Sequence, residues 1–491
     1  MRRTKIIATL GPATDDPETL GKLIAAGVDV VRINFSHGGA GDRERRVRMV
    51  RQVAEQCGRY VAVLGDLQGP KIRIQRFRNG AVQLVEGQAF VLDSGMDPEG
   101  GTIDAVGVAY APLARDVGPG DVLLLDDGFI TLTVESVSGT RILCRVTQGG
   151  RLADNKGINK QGGGLSAPAL TDKDREDVRR AASLGVDWLA VSFVRRAEDL
   201  HEARALLRAA GGTALLVAKI ERAEAIANLE SIIDASDAVM VARGDLGVEM
   251  GYAGLTGLQK KILKMTRHGH KVAITATQMM ESMIHSQVPT RAEVSDIANA
   301  VLDGTDAVML SAETAVGEYP VRAVAAMAEI CVGAESYYLT LGRPSHRNDD
   351  RFQGVDEAIA MSAMYTANHL PVTAIIALTE SGATPLWMSR IRSDIPIFAF
   401  TRHESTRRRV VMYRGVYPVP FDITHTDVER IYQEVFQLLL AKSHVKVGDL
   451  VIVTKGELSG VAGKTNAMQI LSVTGKVDAQ VADFLCAPGS W

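Results

Sequence analysis

The chain has 491 residues, 46% of them hydrophobic and 23% charged, with a formal net charge of −3. That length implies two to four domains of an ordinary globular protein. Interspersed charges of both signs exclude a general pull towards nucleic acid or an anionic membrane, and no run of about 18 apolar residues offers a membrane span. Cys57, Cys144, Cys331 and Cys486 are scattered without a CxxC pair. This argues against a zinc site or a disulfide framework and for a reducing cytoplasm. The apolar stretch Ile6–Leu10 is too short for a secretory signal and is ended by Gly11-Pro12. The cluster Arg407-Arg408-Arg409 reads as a solvated face.

In chain order, short apolar runs predict strands at 5–10, 29–35 and 61–67, and then at 188–194, 214–220, 238–243, 271–277 and 307–311. Their nearly continuous hydrophobicity, with helix-period segments between them, is how parallel strands buried on both faces read. Eight such units predict an α/β fold, a (β/α)8 TIM barrel. Most of the runs end in polar groups, among them Asn34, Ser36, His37, Asp66, Lys219, Glu221, Arg243, Asp245, Thr277, Ser311 and Glu313. In a barrel such endings converge on one face.

Between the third and fourth runs the texture alternates, and turn signals occur at Asp127-Gly128 and Ser138-Gly139. This predicts an inserted all-β, barrel-like lid domain at 69–167, returning through a hinge at Gln161–Gly164. A helix is expected to open at Thr171, with Asp174 completing a capping box. The barrel proper then comprises 1–68 and 168–345. The polar stretch His346–Arg351 reads as a linker to a C-terminal α/β regulatory domain, 346–491, with strands at 373–378, 396–400, 415–419 and 449–454.

Several residues carry chemistry on their own terms. Glu221 and Asp245 are carboxylates at adjacent strand ends, a donor set suited to Mg²⁺; two surface acids paired to Arg222 and Arg243 are the plainer alternative. Lys219 lies two residues before Glu221, so both share a strand face, where a fixed cation can stabilise transferring charge or simply neutralise Glu221. Arg32 follows an apolar run, and its fork suits a phosphate. Gly244 and Asp245 open a helix whose N–H groups can bind a substrate carboxylate. Thr277 ends the seventh run, where its hydroxyl can satisfy the strand end.

The ordered motifs TKIIATLGPAT (4–14), VVRINFSHG (30–38), GDLQGPKIR (65–73), AKIER (218–222), VARGDLGVE (241–249), TATQMMESM (275–283) and PTRAEVSDIANAVLDGTDAVMLSAET (289–314) resemble the pyruvate kinase family, from residue 4 to about 475. The resemblance implies transfer of the phosphoryl group of phosphoenolpyruvate to ADP, giving pyruvate and ATP, the final step of glycolysis. It implies Glu221 and Asp245 as ligands of Mg²⁺ (or Mn²⁺), Lys219, Arg32 and Thr277 as catalytic, and Arg32, Gly244, Asp245 and Thr277 as substrate contacts. Pro12, Asn34, His37, Arg73 and Lys156 resemble nucleotide contacts. Asn34, Ser36 and Asp66 resemble a monovalent-cation pocket. Many potassium-dependent members have Glu where this chain has Lys71, and Thr where it has Leu67, so Lys71 is expected to replace K⁺. Val316 stands where some members have a nucleotide-contacting lysine.

The family also implies a cytoplasmic homotetramer with a phosphorylated activator. Thr379, Ser381 and Thr384, in a turn between strand and helix, are the candidate effector contacts; an ordinary turn is the alternative. The segment Lys455–Gly460 lacks the Trp and Arg of members activated by fructose 1,6-bisphosphate, which favours a sugar monophosphate or AMP. A lyase or phosphonate-processing barrel would have no need of a lid carrying Lys156, and a non-catalytic descendant would have no need of Lys219, Glu221, Asp245 and Thr277.

Overall fold

The structure is a computed structural model, and it describes residues 1–340, 352, 354–422, 428–456 and 465–475. The predicted linker His346–Arg351, most of the segment Lys455–Gly460, and the C-terminal tail lie outside the described residues. The strands are β1 (Lys5–Thr9), β2 (Val30–Asn34) and β3 (Ala62–Asp66), then β4 (Ala81–Leu84), β5 (Ala89–Asp93), β6 (Ala105–Gly107), β7 (Val122–Leu125), β8 (Ile130–Ser138), β9 (Arg141–Gln148), β10 (Gly150–Ala153) and β11 (Ile158–Lys160). There follow β12 (Trp188–Val191), β13 (Leu215–Ile220), β14 (Ala238–Ala242), β15 (Val272–Ala276) and β16 (Ala307–Leu310), and finally β17 (Val372–Leu378), β18 (Ile397–Thr401), β19 (Val416–Pro420), β20 (Leu450–Gly456) and β21 (Thr465–Ser472).

A closed barrel runs β1-β16-β15-β14-β13-β12-β3-β2. The eight predicted runs are its eight strands. Every residue of β1, β3, β12, β14, β15 and β16 is buried, which is why these segments are nearly continuous in hydrophobicity rather than alternating. The fourth run is longer than its strand: β12 stops at Val191, and Ser192-Phe193 turn out of it, Phe193 with φ 55°.

The chain forms two compact units. One contains Met1–Gly65, Leu184–Trp188 and the described residues from Thr266 onward; the other contains Asp66–Ser183 and Leu189–Met265. In the second unit, a six-stranded sheet of order β11-β7-β8-β9-β5-β6 and a ribbon β10-β4 form the predicted all-β insert. Its alternation is real: Leu123 and Leu125, Ile130, Leu132 and Val134, and Ile142, Cys144 and Val146 point into one core with Phe90 and Leu92. Asp126, Asp127 and Gly128 all have positive φ in the predicted β7–β8 turn. The helix Asp172–Leu184 opens as expected, with the Thr171 N–H donating to Asp174 and the Asp174 N–H to the Thr171 hydroxyl.

In the first unit the C-terminal sheet has the order β19-β18-β17-β20-β21, parallel except for the edge strand β21. The four predicted strands are present. The sequence does not announce β21, because its polar segment, TNAMQILS, lacks a buried face of its own. Within this unit the guanidinium of Arg390 bonds both carboxylate oxygens of Asp306, at 2.6 and 2.8 Å, and Asp306 also accepts the Ala273 N–H of β15. Both side chains are at most 2% exposed. Asp187 similarly gathers Arg51, Arg408 and the Val63 N–H. Among the described residues, no helix is long and apolar enough to cross a membrane.

Removing one partner of a buried pair leaves an uncompensated charge. Arg390→Met is therefore expected to lower the unfolding free energy by about 3–5 kcal/mol, measured by denaturant titration; a loss below about 1 kcal/mol would contradict this role for the pair.

Candidate active site

In the second unit, one charged cluster sits where four barrel strands end. Lys219, near the end of β13, extends its ammonium to Glu221 Oε1 at 2.9 Å, Asp66 Oδ1 at 3.3 Å and the Ser192 hydroxyl at 2.7 Å. Ser192 donates to the Leu67 carbonyl at 2.7 Å. Glu221 accepts the Phe193 N–H at 2.8 Å. The positive φ of Phe193 is what turns that N–H inward. Gly69 makes the turn possible: it has φ 67°, and a Cβ there would lie 2.6 Å from the Phe193 ring and 2.9 Å from Ser192 Cβ.

Asp245, in the first turn of the helix Arg243–Met250, pairs with Lys71 at 3.3 Å. Burial pushes the Glu221 carboxyl above its usual range; Lys219 opposes that shift and the Asp245 charge adds to it. Two acids whose repulsion disfavours ionisation are a set that a divalent cation would relieve. No group of three or more His, Cys, Asp or Glu suited to a metal occurs among the described residues. Two carboxylates with water and substrate oxygens are an ordinary Mg²⁺ environment, so the residues fit such an ion.

Also in this unit, Arg73 donates to the Asn155 carbonyl at 2.8 Å, and the residue after Asn155, Lys156, pairs with Asp126 at 2.8 Å. The structure thus brings together Lys219, Glu221, Asp66, Asp245 and Lys71, and separately Arg73 with the segment of Lys156.

In the first unit, Arg32 on β2 donates to the Thr9 hydroxyl at 3.1 Å, and Thr9 donates to the Leu310 carbonyl at 2.8 Å. Asn34 contacts His37 at 3.2 Å and accepts the Ser36 N–H at 2.9 Å. Pro12 is exposed and opens a short 3-10 turn. Thr277 follows β15 with φ 67°, an outlier for a β-branched residue, and its hydroxyl donates to the Ala276 carbonyl at 2.6 Å. Glu313 holds the loop behind it, accepting the N–H groups of Met280 and Ser311.

The effector candidates do not form one open cradle. Thr379 is buried and accepts the Gly382 N–H, while Thr384 is buried against the Thr465 hydroxyl at 2.6 Å; Ser381 is exposed. Val316 is exposed and apolar.

Two family models match the chain: the pyruvate kinase barrel domain over residues 1–324 and the pyruvate kinase alpha/beta domain over 357–471. The chain belongs to the pyruvate kinase family. It is 55% identical over 477 residues to pyruvate kinase II of Salmonella typhimurium, covering 96% of this chain and 99% of that one. It is 51% identical to the pyruvate kinase of Haemophilus influenzae over the same shares. A crystal structure of a pyruvate kinase from Cryptosporidium parvum superposes with a TM-score of 0.89 at 32% identity, covering 96% of both chains. Membership of the pyruvate kinase family carries a general dependence on a divalent metal.

Sequence reasoning passed over Ser192, Phe193 and Glu249, and it marked Glu313 only as a strand-end acid. Ser192-Phe193 were absorbed into an apolar strand. Glu249 holds the return of the insert: its carboxylate accepts the Ala223 N–H at 2.9 Å and contacts the Asn159 amide, and its carbonyl accepts the Gly162 N–H. Burial pushes its pKa up to about 7. An acid raised in the folded state binds its proton more tightly there than when unfolded. Its contribution to stability is therefore present at low pH and lost as the pH rises from about 5 through 7. Wild type should lose about 2–3 kcal/mol more than Glu249→Gln across that window in urea unfolding; parallel profiles would contradict the assignment.

Proposed function

We propose that the chain catalyses phosphoryl transfer from phosphoenolpyruvate to ADP, giving pyruvate and ATP as the final step of glycolysis. The observation that supports it most is the buried Lys219 ammonium held between Glu221, Asp66 and Ser192, with Asp245 adding its charge to Glu221. Phosphoryl transfer asks for positioning and charge neutralisation rather than covalent help. In this reading Arg32 and Lys219 hold the phosphate, and the N–H groups at Gly244 and Asp245 hold the substrate carboxylate. A β-phosphate oxygen of ADP forms the new P–O bond in line as the bond to the enol oxygen breaks. The enolate so released takes a proton at C3, with Thr277 positioning the water that delivers it.

Glu221 and Asp245 would hold the Mg²⁺ (or Mn²⁺), which supplies Lewis-acid stabilisation to substrate oxygens when bound. Pro12, Asn34, His37, Arg73 and Lys156 would contact the nucleotide. Asn34, Ser36 and Asp66 correspond to the monovalent-cation pocket, and Lys71 is assigned the charge that K⁺ otherwise supplies; its ion pair with Asp245 puts that charge beside a proposed metal ligand. A phosphorylated activator, a sugar monophosphate or AMP, is assigned to the turn of Thr379, Ser381 and Thr384, with Ser381 the exposed hydroxyl. The same reading takes the chain as a cytoplasmic homotetramer divided at 68, 168 and 345; Cys57, Cys144 and Cys331, all free thiols, suit a reducing compartment.

Lys219→Met is expected to lower kcat by about 10²–10³-fold, read from pyruvate formation, with proton exchange at pyruvate C3 retained; a near-normal kcat would remove Lys219 from the mechanism. In potassium-free buffer with Mg²⁺ the wild type should keep most of its activity, and Lys71→Glu should make it depend on K⁺. Potassium-free activity below a few per cent would refute the role given to Lys71.

A further inference from the structure

A cavity of about 390 Å³ opens within the first unit, lined by Arg3, Glu335, Tyr338, Asn368, Arg392 and Arg414, with Leu370 and Ile395 as apolar wall. It lies where β17 and β18 begin. The turn of Thr379–Thr384 follows the other end of β17, so the two places are distinct.

Its wall carries more positive than negative charge. Arg3 Nη2 donates to the Asp394 carbonyl at 2.8 Å, and Arg392 donates to the Leu302 carbonyl with its guanidinium 4.3 Å over the Tyr338 ring. Carbonyls and a ring face orient these groups without neutralising them. Arg414 is only 11% exposed, and its contact with an acid is long, 3.9 Å to Glu335. Glu335 is occupied elsewhere: it accepts the N–H groups of Arg3 and Thr4 and the Thr4 hydroxyl. The Nε atoms of Arg392 and Arg414 are buried without a hydrogen-bond partner. Arg267 stands beside Arg392, since a Cβ at Gly304 would meet both guanidinium groups at 2.6 and 2.7 Å. Burial and the Arg392 charge pull Arg267 down to about 10. Arg390 is spent on Asp306. The lining thus sets three part-buried arginines against two acids, Glu335 and Asp394, and removing such an excess of cations from water is costly unless an anion joins them.

We propose that this cavity binds a phosphate monoester, its phosphate between Arg3, Arg392 and Arg414 and its organic body against Tyr338 and Leu370. Three guanidinium forks from separate segments suit a tetrahedral dianion, and the volume exceeds what inorganic phosphate fills. Arg3 precedes β1, Arg392 precedes β18 and Arg414 precedes β19, so one bound anion would tie the first barrel strand to the C-terminal sheet.

The test is calorimetric titration of the full chain with phenyl phosphate at constant ionic strength, with citrate as the carboxylate control. Arg414→Met should lose one phenyl phosphate site per chain or bind there at least tenfold more weakly, while Ser381→Ala keeps that site. Should Arg414→Met fail to fold, Arg3→Met carries the test, because the Arg3 guanidinium reaches a surface carbonyl. Wild-type stoichiometry and affinity in the arginine variant would overturn the proposal, as would loss of the site in Ser381→Ala. Citrate binding tenfold more tightly than phenyl phosphate would overturn the choice of phosphate.

Discussion

A lysine ammonium buried at the end of an apolar strand is the constraint from which the rest of the site follows. Lys219 is 11% exposed at its side chain, and a charge so placed is tolerable only with partners. Asp66, Glu221 and Ser192 supply them, from β3, the end of β13 and the end of β12. Asp66, Glu221 and Asp245 stand beside two ammonium groups, Lys219 and Lys71, and burial, with the Asp245 charge adding to it against Lys219, raises the Glu221 carboxyl. Carboxylates kept close together in a buried place are a donor set that a divalent cation would relieve.

The barrel was legible in the sequence because burial on both faces leaves no choice of residue: eight continuous apolar runs became eight strands. The insert was legible for the opposite reason, since its sheet faces one core and therefore alternates. Side chains at strand ends were visible as polar residues interrupting apolar texture, which is how Lys219, Glu221, Asp245 and Arg32 were singled out. The resemblance to pyruvate kinases supplied their roles. Components that work through the backbone were not legible. Phe193 contributes an N–H, and a phenylalanine in VSFV looks like core. Glu313 was visible only as a strand-end acid, because the N–H groups it receives belong to residues that no pattern marks. The paired state of Thr379 and Thr384 was equally hidden, as Thr465 lies far along the chain and on a strand that the sequence does not announce.

Within the first unit, acids act as junctions rather than as isolated pairs. Asp306 receives Arg390 and the Ala273 N–H, Asp187 receives two arginines and the Val63 N–H, and Glu335 receives the start of β1. Each joins a barrel strand to another segment by hydrogen bonds to a charged acceptor, which are stronger than neutral ones. Around the 390 Å³ cavity, Arg3 and Arg392 instead meet carbonyls and a ring face, as Arg43 and Arg407 do elsewhere in the unit.

Backbone strain is distributed unevenly, and the distribution is informative. The turn after β17 takes its positive φ at Gly382, where the conformation costs little. The turn after β15 takes it at Thr277 and Gln278, residues for which it costs of order 1–3 kcal/mol each. A glycine would fold there more cheaply but would bring no hydroxyl. Glu313 offsets the strain by binding the N–H groups of Met280 and Ser311, and it is itself buried at 3% exposure, so the loop is fixed from behind while its front carries the threonine. The strain at Thr277 and Gln278 thus persists because the surrounding hydrogen bonds over-determine the loop at the carboxyl end of its barrel strand.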